Sequence, residues 1–237
     1  MIDLHCHLLP GVDDGPGSLE ESIDYARAAA RDGTERIVAT PHVELVDVSE
    51  LPERVDELAE ALAGEGIELA VDCGGELKPH SVPSLSHDEL ELIAHGPPGR
   101  RWLLLEVPFR GLGEDLLRAA EELHRRGFAT LLAHPERASG FEASLRLLRE
   151  EVERGAGVQM NVGPLLGAES PAREEASRWL LRTGLATALA TDAHPPGRPY
   201  TLLHGREYAL RAGLSGTEAE RLVDSGPRRL LELGLSF

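Results

Sequence analysis

A distorted (β/α)7 barrel is the fold predicted for this chain, on three observations. Seven short runs rich in Leu, Val and Ala alternate with longer amphipathic stretches. Each run stops at polar residues rather than at a tight hairpin signal, so the strands are expected to be parallel and joined by helices. No Gly-x-Gly-x-x-Gly turn follows any of them, which favours a closed barrel over an open nucleotide-binding sheet. A length of 237 residues suits one such barrel, and residues 1–237 are expected to form a single domain.

The expected strands run, in order, over 2–7, 36–40, 67–73, 102–106, 129–133, 157–162 and 186–191. Helical patterns lie between them at 18–31, 52–63, 114–126, 143–154 and 172–183, with two more after Tyr200. Ser18, followed three residues later by Glu21, fits a capping box at the first helix. Gly33, Gly127, Gly155 and Gly184 each follow a helical run and supply the left-handed residue that closes it.

Composition excludes several function classes. The net charge of -17 and the absence of a basic run argue against a nucleic-acid partner, which would require Lys and Arg to neutralise phosphates. Lys78 is the one lysine among 24 basic residues, a bias from which nothing functional follows. No apolar run approaches the ~20 residues of a membrane span, so no membrane insertion is expected. The start, Met1-Ile2-Asp3-Leu4-His5, has no secretory character, and a cytoplasmic location is expected. Cys6 and Cys73 are too few for a disulfide framework and are read as inert thiols. Neither is followed six positions on by Arg (Val12 and Pro79 stand there), which excludes cysteine-based phosphoryl transfer.

Barrels of this kind gather reactive groups where strands end. The ends read His5-Cys6-His7, Thr40-Pro41-His42, Gly74-Gly75-Glu76, Leu105-Glu106, His134-Pro135-Glu136-Arg137 and Asp192-Ala193-His194. Residues two apart on a strand share a face, so His5 with His7, and Asp192 with His194, project into one mouth while Cys6 and Ala193 face the helices. A lone histidine at a strand end is usually a packed residue; six ends in agreement are not. With Asp14 from the loop after the first strand, five imidazoles and four carboxylates converge, a mixed N/O set suited to Zn, Mn or Fe. Four carboxylates bring about minus four, so two divalent ions leave neutrality, and three leave about plus two, which welcomes a phosphate dianion.

These residues resemble the PHP family and, within it, the bacterial protein-tyrosine phosphatases of capsule and exopolysaccharide loci. The stretch from Asp3 to Gly15, DLHCHLLPGVDDG, is similar to that subgroup's opening signature nearly letter for letter. Thr40-Pro41-His42, His134-Pro135-Glu136-Arg137 and Thr191-Asp192-Ala193-His194 resemble its later motifs in order, over positions 3 to about 198. The resemblance implies a three-ion centre, manganese first, with iron or zinc as alternatives. One ion would sit on His5, His7, Glu76 and Asp192, a second on Glu76, Glu106 and His134, and a third on Asp14, His42 and His194. It also implies a phosphotyrosine protein as substrate, expected to be a bacterial tyrosine kinase of polysaccharide synthesis. Val43 departs from the subgroup, which has a second histidine there, so an altered substrate placement is expected.

The expected chemistry is in-line attack on phosphorus by hydroxide held on the ions. Arg137 and Arg198 are the candidates to grip the non-bridging oxygens, because a guanidinium fork matches phosphate geometry. Gln159 and Asn161 share a face of the sixth strand and are expected to orient ligands or water, and Glu136 is a candidate outer carboxylate. His80, His87, His95, His124 and His204 are read as solvated or packed. The alternatives are a small-metabolite phosphomonoesterase of histidinol-phosphate type, a metal-dependent amidohydrolase, and a non-enzymatic regulatory partner of a kinase.

Overall fold

The computed structural model describes residues 1–236. Eight parallel strand segments alternate with helices: β1 Ile2–Cys6, β2 Arg36–Ala39, β3 Ala70–Cys73, β4 Glu76–Leu77, β5 Trp102–Glu106, β6 Ala129–Ala133, β7 Gly157–Asn161 and β8 Ala188–Ala190. The helices are α1 Leu19–Arg31, α2 Leu51–Gly64, α3 His87–Ile93, α4 Glu114–Arg125, α5 Phe141–Glu153, α6 Val162–Leu165, α7 Pro171–Thr183, α8 Leu202–Arg211, α9 Gly216–Glu220 and α10 Gly226–Leu233. The (β/α) alternation read from the sequence is the architecture found.

Seven strand positions ring the barrel because β3 and β4 occupy one of them. The sequence predicts a single strand over 67–73; instead it begins at Ala70 and, after Gly74-Gly75, resumes as β4. β3 pairs with β2, and β4 pairs with β5, so this bent position joins a three-stranded ladder to a five-stranded one. The bend is sterically demanding: a Cβ at Gly74 would lie 2.6 Å from Val38 Cγ1, and one at Gly75 2.7 Å from Val43 Cγ1. The second seam lies between β8 and β1, where Asp192 N–H donates to His5 O (2.8 Å) and His7 N–H to Ala193 O (3.0 Å). There the buried Asp3 carboxylate accepts from Thr191 Oγ1 (2.6 Å) and Thr191 N (3.1 Å). The hydrogen-bond ladder is therefore not continuous around the barrel: it is two sheets rather than one closed ladder, with only the single bridges Cys6↔Ala193 and His42↔Glu76 across the seams.

Two apolar layers result. Ile2, Leu4, Val38, Leu104, Leu131, Ala133 and Ala188 fill the barrel interior, floored by Trp102, whose indole N–H donates to Leu230 O of α10 (2.9 Å). A larger layer, including Cys6, Ala39, Leu105, Leu132 and Leu189, lies between strands and helices. The helix ends follow the predicted glycines, all four at positive φ (Gly33 91°, Gly127 90°, Gly155 103°, Gly184 67°). The capping box at α1 is only half formed. Ser18 Oγ accepts from Glu21 N, but the Glu21 carboxylate turns to Gly17 N rather than back to Ser18. The last predicted helix is broken: a π-helical turn, Arg221–Ser225, links α9 to α10 just before Pro227, which has no N–H to donate to the preceding turn.

His95 gives the fold a pH dependence. Its backbone pairs with Trp102, and its Nε2 is sealed from solvent without a hydrogen bond. Burial pushes its pKa down to about 4. The unfolded chain then binds the extra proton between about pH 6.5 and pH 4, so His95 adds stability above that window and loses it as pH falls through it. Denaturation midpoints are expected to fall more steeply over this window in the native chain than in His95→Gln. The difference should be on the order of 1–3 kcal/mol; parallel curves would refute it.

Candidate metal centre

All nine residues singled out as ligands stand at the C-terminal mouth of the barrel, each for a local reason. In β1 the pairing slips between Asp3 and Cys6, three residues of β1 standing against two of β2 (Asp3↔Ile37, Cys6↔Ala39). This bulge resets the alternation. Leu4 faces the apolar interior, whereas His5 and His7 face the mouth, and Cys6 packs in the outer layer. His134 and Asp192 are the two non-glycine residues with positive φ, 37° and 47°, among the described residues. Backbone strain of this kind persists where surrounding structure enforces it; at His134, the residue after inward-facing Ala133, it turns the side chain back over the mouth. Glu76 is delivered by the glycine bend, and Glu106 ends β5. Asp14 lies exposed on the loop after β1. His42 follows β2, and His194 sits in the turn after β8, bridged to Arg198.

The donor atoms close on one another. His5 Nε2 and His7 Nε2 are 3.3 Å apart. Each is also 3.4–3.5 Å from both Glu76 Oε2 and Asp192 Oδ1. One proton between two imidazoles satisfies only one such contact, whereas a cation satisfies all four. Glu76 reaches further, with Oε1 2.9 Å from His134 Nε2 and Oε2 3.0 Å from His42 Nδ1. His7, Asp14, His42 and His194 form another cluster with donors within 4.8 Å of one another, and His194 Nε2 is 3.1 Å from Asp14 Oδ1. Glu106 groups with His42 and Glu76, while His134 groups with His5 and Asp192. His134 Nδ1 and His194 Nε2 are buried without a hydrogen bond. The residues thus fit a multi-ion centre.

Electrostatics point the same way. Burial works against an ionised Glu76, yet the His5 imidazole and contacts from His134 and His42 hold its pKa well below the carboxylate range. Glu106 is pushed up to about 7, by burial and then by the charge of Glu76. A cation between these two acids would offset both the burial and the repulsion that disfavour an ionised Glu106. The cysteines take no part: burial raises the Cys6 thiol well above its ordinary value and Cys73 to about 11.

Around the donors runs a ring of orienting contacts. Gln159 Oε1 meets His5 Nδ1 at 3.0 Å, Gln159 Nε2 donates to Asn161 Oδ1 (2.7 Å), and Asn161 Nδ2 donates to Asp192 Oδ2 (2.7 Å). This amide relay leaves His5 Nε2 free to face the mouth. Arg137 and Arg198 both donate through Nη1 to Asp192 Oδ2, at 2.8 and 3.1 Å, and both border the mouth cavity. Arg198 is therefore no remote surface ion pair. Glu136 points elsewhere: fully buried, it accepts from Asn161 N (2.7 Å), and burial raises its pKa to about 8. It borders the groove between α5 and α7 rather than the mouth cavity.

Asp13 escaped the sequence reading, which chose its neighbour Asp14. Its Oδ2 accepts from His7 Nδ1 (2.6 Å) and from the backbone N–H of His42 (3.0 Å), so one carboxylate fixes two candidate ligands. Nothing at the strand ends signals this, because the contact depends on how the loop folds back. Asp13→Asn is expected to lower divalent-ion affinity about 10–100-fold, as loss of such outer partners does. Titration calorimetry of the metal-free chain with Mn(II) and Zn(II) measures it, and an unchanged affinity would remove Asp13 from the site.

The mouth cavity, about 490 Å³, is bordered by Asp14, His42, Glu76, Glu106, His134, Asp192 and His194, and also by Lys78, His80 and Phe109. His80, read as one of the solvated or packed histidines, is exposed at this rim. Lys78, from which the sequence drew nothing, is at the cavity too, ion-paired with Glu44. Val43 is buried and packs beneath the Gly75 bend, so it offers no side chain to the mouth and cannot place substrate directly.

The family described as capsular polysaccharide synthesis, CpsB/CapC, matches residues 1–232. The tyrosine-protein phosphatase YwqE of Bacillus subtilis is 33% identical over 198 residues, covering 82% of this chain and 77% of that protein. A crystal structure of YwqE from B. subtilis and CpsB from Streptococcus pneumoniae, described as unique metal-dependent tyrosine phosphatases, superposes with a TM-score of 0.81 at 29% identity, covering 98% of this chain and 94% of that one. The phosphotriesterase homology protein of Escherichia coli shares the fold, at a TM-score of 0.66 and 13% identity over 96% of this chain and 97% of that one.

Proposed function

This chain belongs to the CpsB/CapC family of capsular polysaccharide synthesis, and from that premise we infer that it is a metal-dependent phosphatase acting on phosphotyrosine in proteins. The observation that carries the reading is the convergence of His5, His7, Glu76 and Asp192 donors around one point, with Glu76 extending to His42 and His134. We propose three divalent ions, manganese by preference: one on His5, His7, Glu76 and Asp192, one on Glu76, Glu106 and His134, and one on Asp14, His42 and His194. Their net excess of about two positive charges over the carboxylates matches a phosphate monoester dianion.

When bound, such ions acidify water and offset charge on the phosphoryl group. The protein's own groups do the rest. Arg137 and Arg198 meet at the same Asp192 oxygen beside the mouth cavity, and we propose that their N–H groups not engaged by Asp192, Glu169 or His194 hold non-bridging phosphate oxygens. Gln159, Asn161 and Asp13 fix imidazole orientation, so the donors need not reorganise as charge develops. A tyrosine leaving group, with a phenol pKa near ~10, departs with less help from an acid than an alkyl alcohol requires. This agrees with Glu136 facing away from the cavity. The substrate we propose is a phosphorylated bacterial tyrosine kinase of polysaccharide synthesis, met in the cytoplasm. Among the described residues no helix is long and apolar enough to cross a membrane.

The test is turnover of p-nitrophenyl phosphate and of a phosphotyrosine peptide with Mn(II), Zn(II) or Fe(II), using native chain and His42→Ala. Metal-dependent release of phosphate that His42→Ala abolishes supports the reading. A native chain that stays inert with all three metals overturns it.

A further inference from the structure

We propose that Phe109 selects aromatic phosphate esters by packing its ring against the phenyl ring of the bound phosphotyrosine; the inference rests on the phosphatase reading above. Phe109 is 46% exposed, the one aromatic residue among the exposed large hydrophobic side chains of the described residues, and it borders the mouth cavity. Apart from Pro79 and Pro108, the other residues at that cavity are charged groups or imidazoles. An exposed phenyl ring there has no role in closing the core.

Its position is built rather than accidental. Phe109 follows the end of β5 by three residues, its carbonyl accepts from Ser139 N (2.6 Å), and Pro108 restricts the backbone before it. The Arg137 guanidinium lies 4.8 Å and that of Arg173 5.5 Å from the ring centroid, and the ring is 6.4 Å from that of His134. Arg137 is the group proposed to hold phosphate oxygens, and His134 is a proposed ligand. In an aryl phosphate, the ring stands one oxygen atom from phosphorus. A phosphate held between these groups therefore carries its aryl ring to the rim where Phe109 stands. Aromatic pairs prefer offset or edge-to-face contact, which a partly exposed ring still offers. A phosphoserine or sugar phosphate places no ring there.

A simpler role, in which Phe109 only props Arg137, makes a different prediction, because propping serves every phosphate alike. Phenylphosphonate and methylphosphonate present the same anionic head and cannot be hydrolysed. Titrated calorimetrically into the metal-loaded full chain, Phe109→Leu is expected to weaken phenylphosphonate about tenfold and methylphosphonate less than about twofold, with Phe109→Tyr near native for both. KM for a phosphotyrosine peptide should rise in Phe109→Leu with kcat little changed. Equal weakening of both phosphonates, or no change in either, overturns the inference while leaving the phosphatase reading intact. A native chain that binds neither phosphonate and turns over no aryl phosphate overturns both.

Discussion

Replacing Glu76 with glutamine is expected to reduce phosphatase turnover about 10³-fold or more, the scale of losing several kcal/mol of ionic stabilisation from a reaction centre. Four imidazoles in the mouth face this one carboxylate. One oxygen faces His134 at 2.9 Å; the other faces His42 at 3.0 Å, His7 at 3.4 Å and His5 at 3.5 Å. Glutamine keeps the shape but removes the charge and turns one acceptor into a donor aimed at imidazole nitrogens. At least one ion should be missing from Glu76→Gln by elemental analysis, while circular dichroism stays native. A variant with a full ion complement and more than about a tenth of native turnover would show that Glu76 is not the central carboxylate.

Chelation is expected to abolish turnover, and restoring Mn(II) to recover it. Stability should follow. Ions present at about 100 times their dissociation constant add ~2.7 kcal/mol, or about 5–10 °C in melting temperature for a chain of this size. Affinity should also depend on pH, with a sign fixed by the metal-free site. His7 lies deep in the protein, and burial disfavours its charge, yet hydrogen bonds to the Asp13, Asp192 and Glu76 carboxylates raise its pKa well above the ordinary value. A proton must therefore leave before an ion enters, and affinity falls as pH is lowered through neutrality. Calorimetric titrations with Mn(II) from pH 8 to pH 6 measure this. Affinity that is flat or rises toward pH 6 would contradict it, as would activity that survives exhaustive chelation.

Much of this centre was legible because barrels collect function at strand ends, and six of the seven predicted strands end in, or are followed by, a metal-binding residue type. His5 and His7 could be assigned to one face by alternation, although the bulge that turns both toward the mouth has no sequence signature. The bent third strand was half visible: Gly74-Gly75 marks a break, but only the packing of Val38 and Val43 against those glycines shows why no larger residue fits. Asp13 and the shared grip of Arg137 and Arg198 on Asp192 were not legible, since partners distant in sequence define them. His80 and Lys78 were passed over because, being on a loop, their position depends on where that loop returns to the rim.

The seam between β1 and β8 has a consequence for biosynthesis. Asp3 and Thr191 are 188 residues apart, and the candidate ligands beside them, His5 and Asp192, come from the same two ends of the barrel. On the ribosome the first strand must wait, unpaired on one edge, until almost the whole chain has been translated. A nascent chain halted before Asp192 lacks a quarter of the donors around the first ion, so ion capture should be among the last events of folding rather than its nucleus.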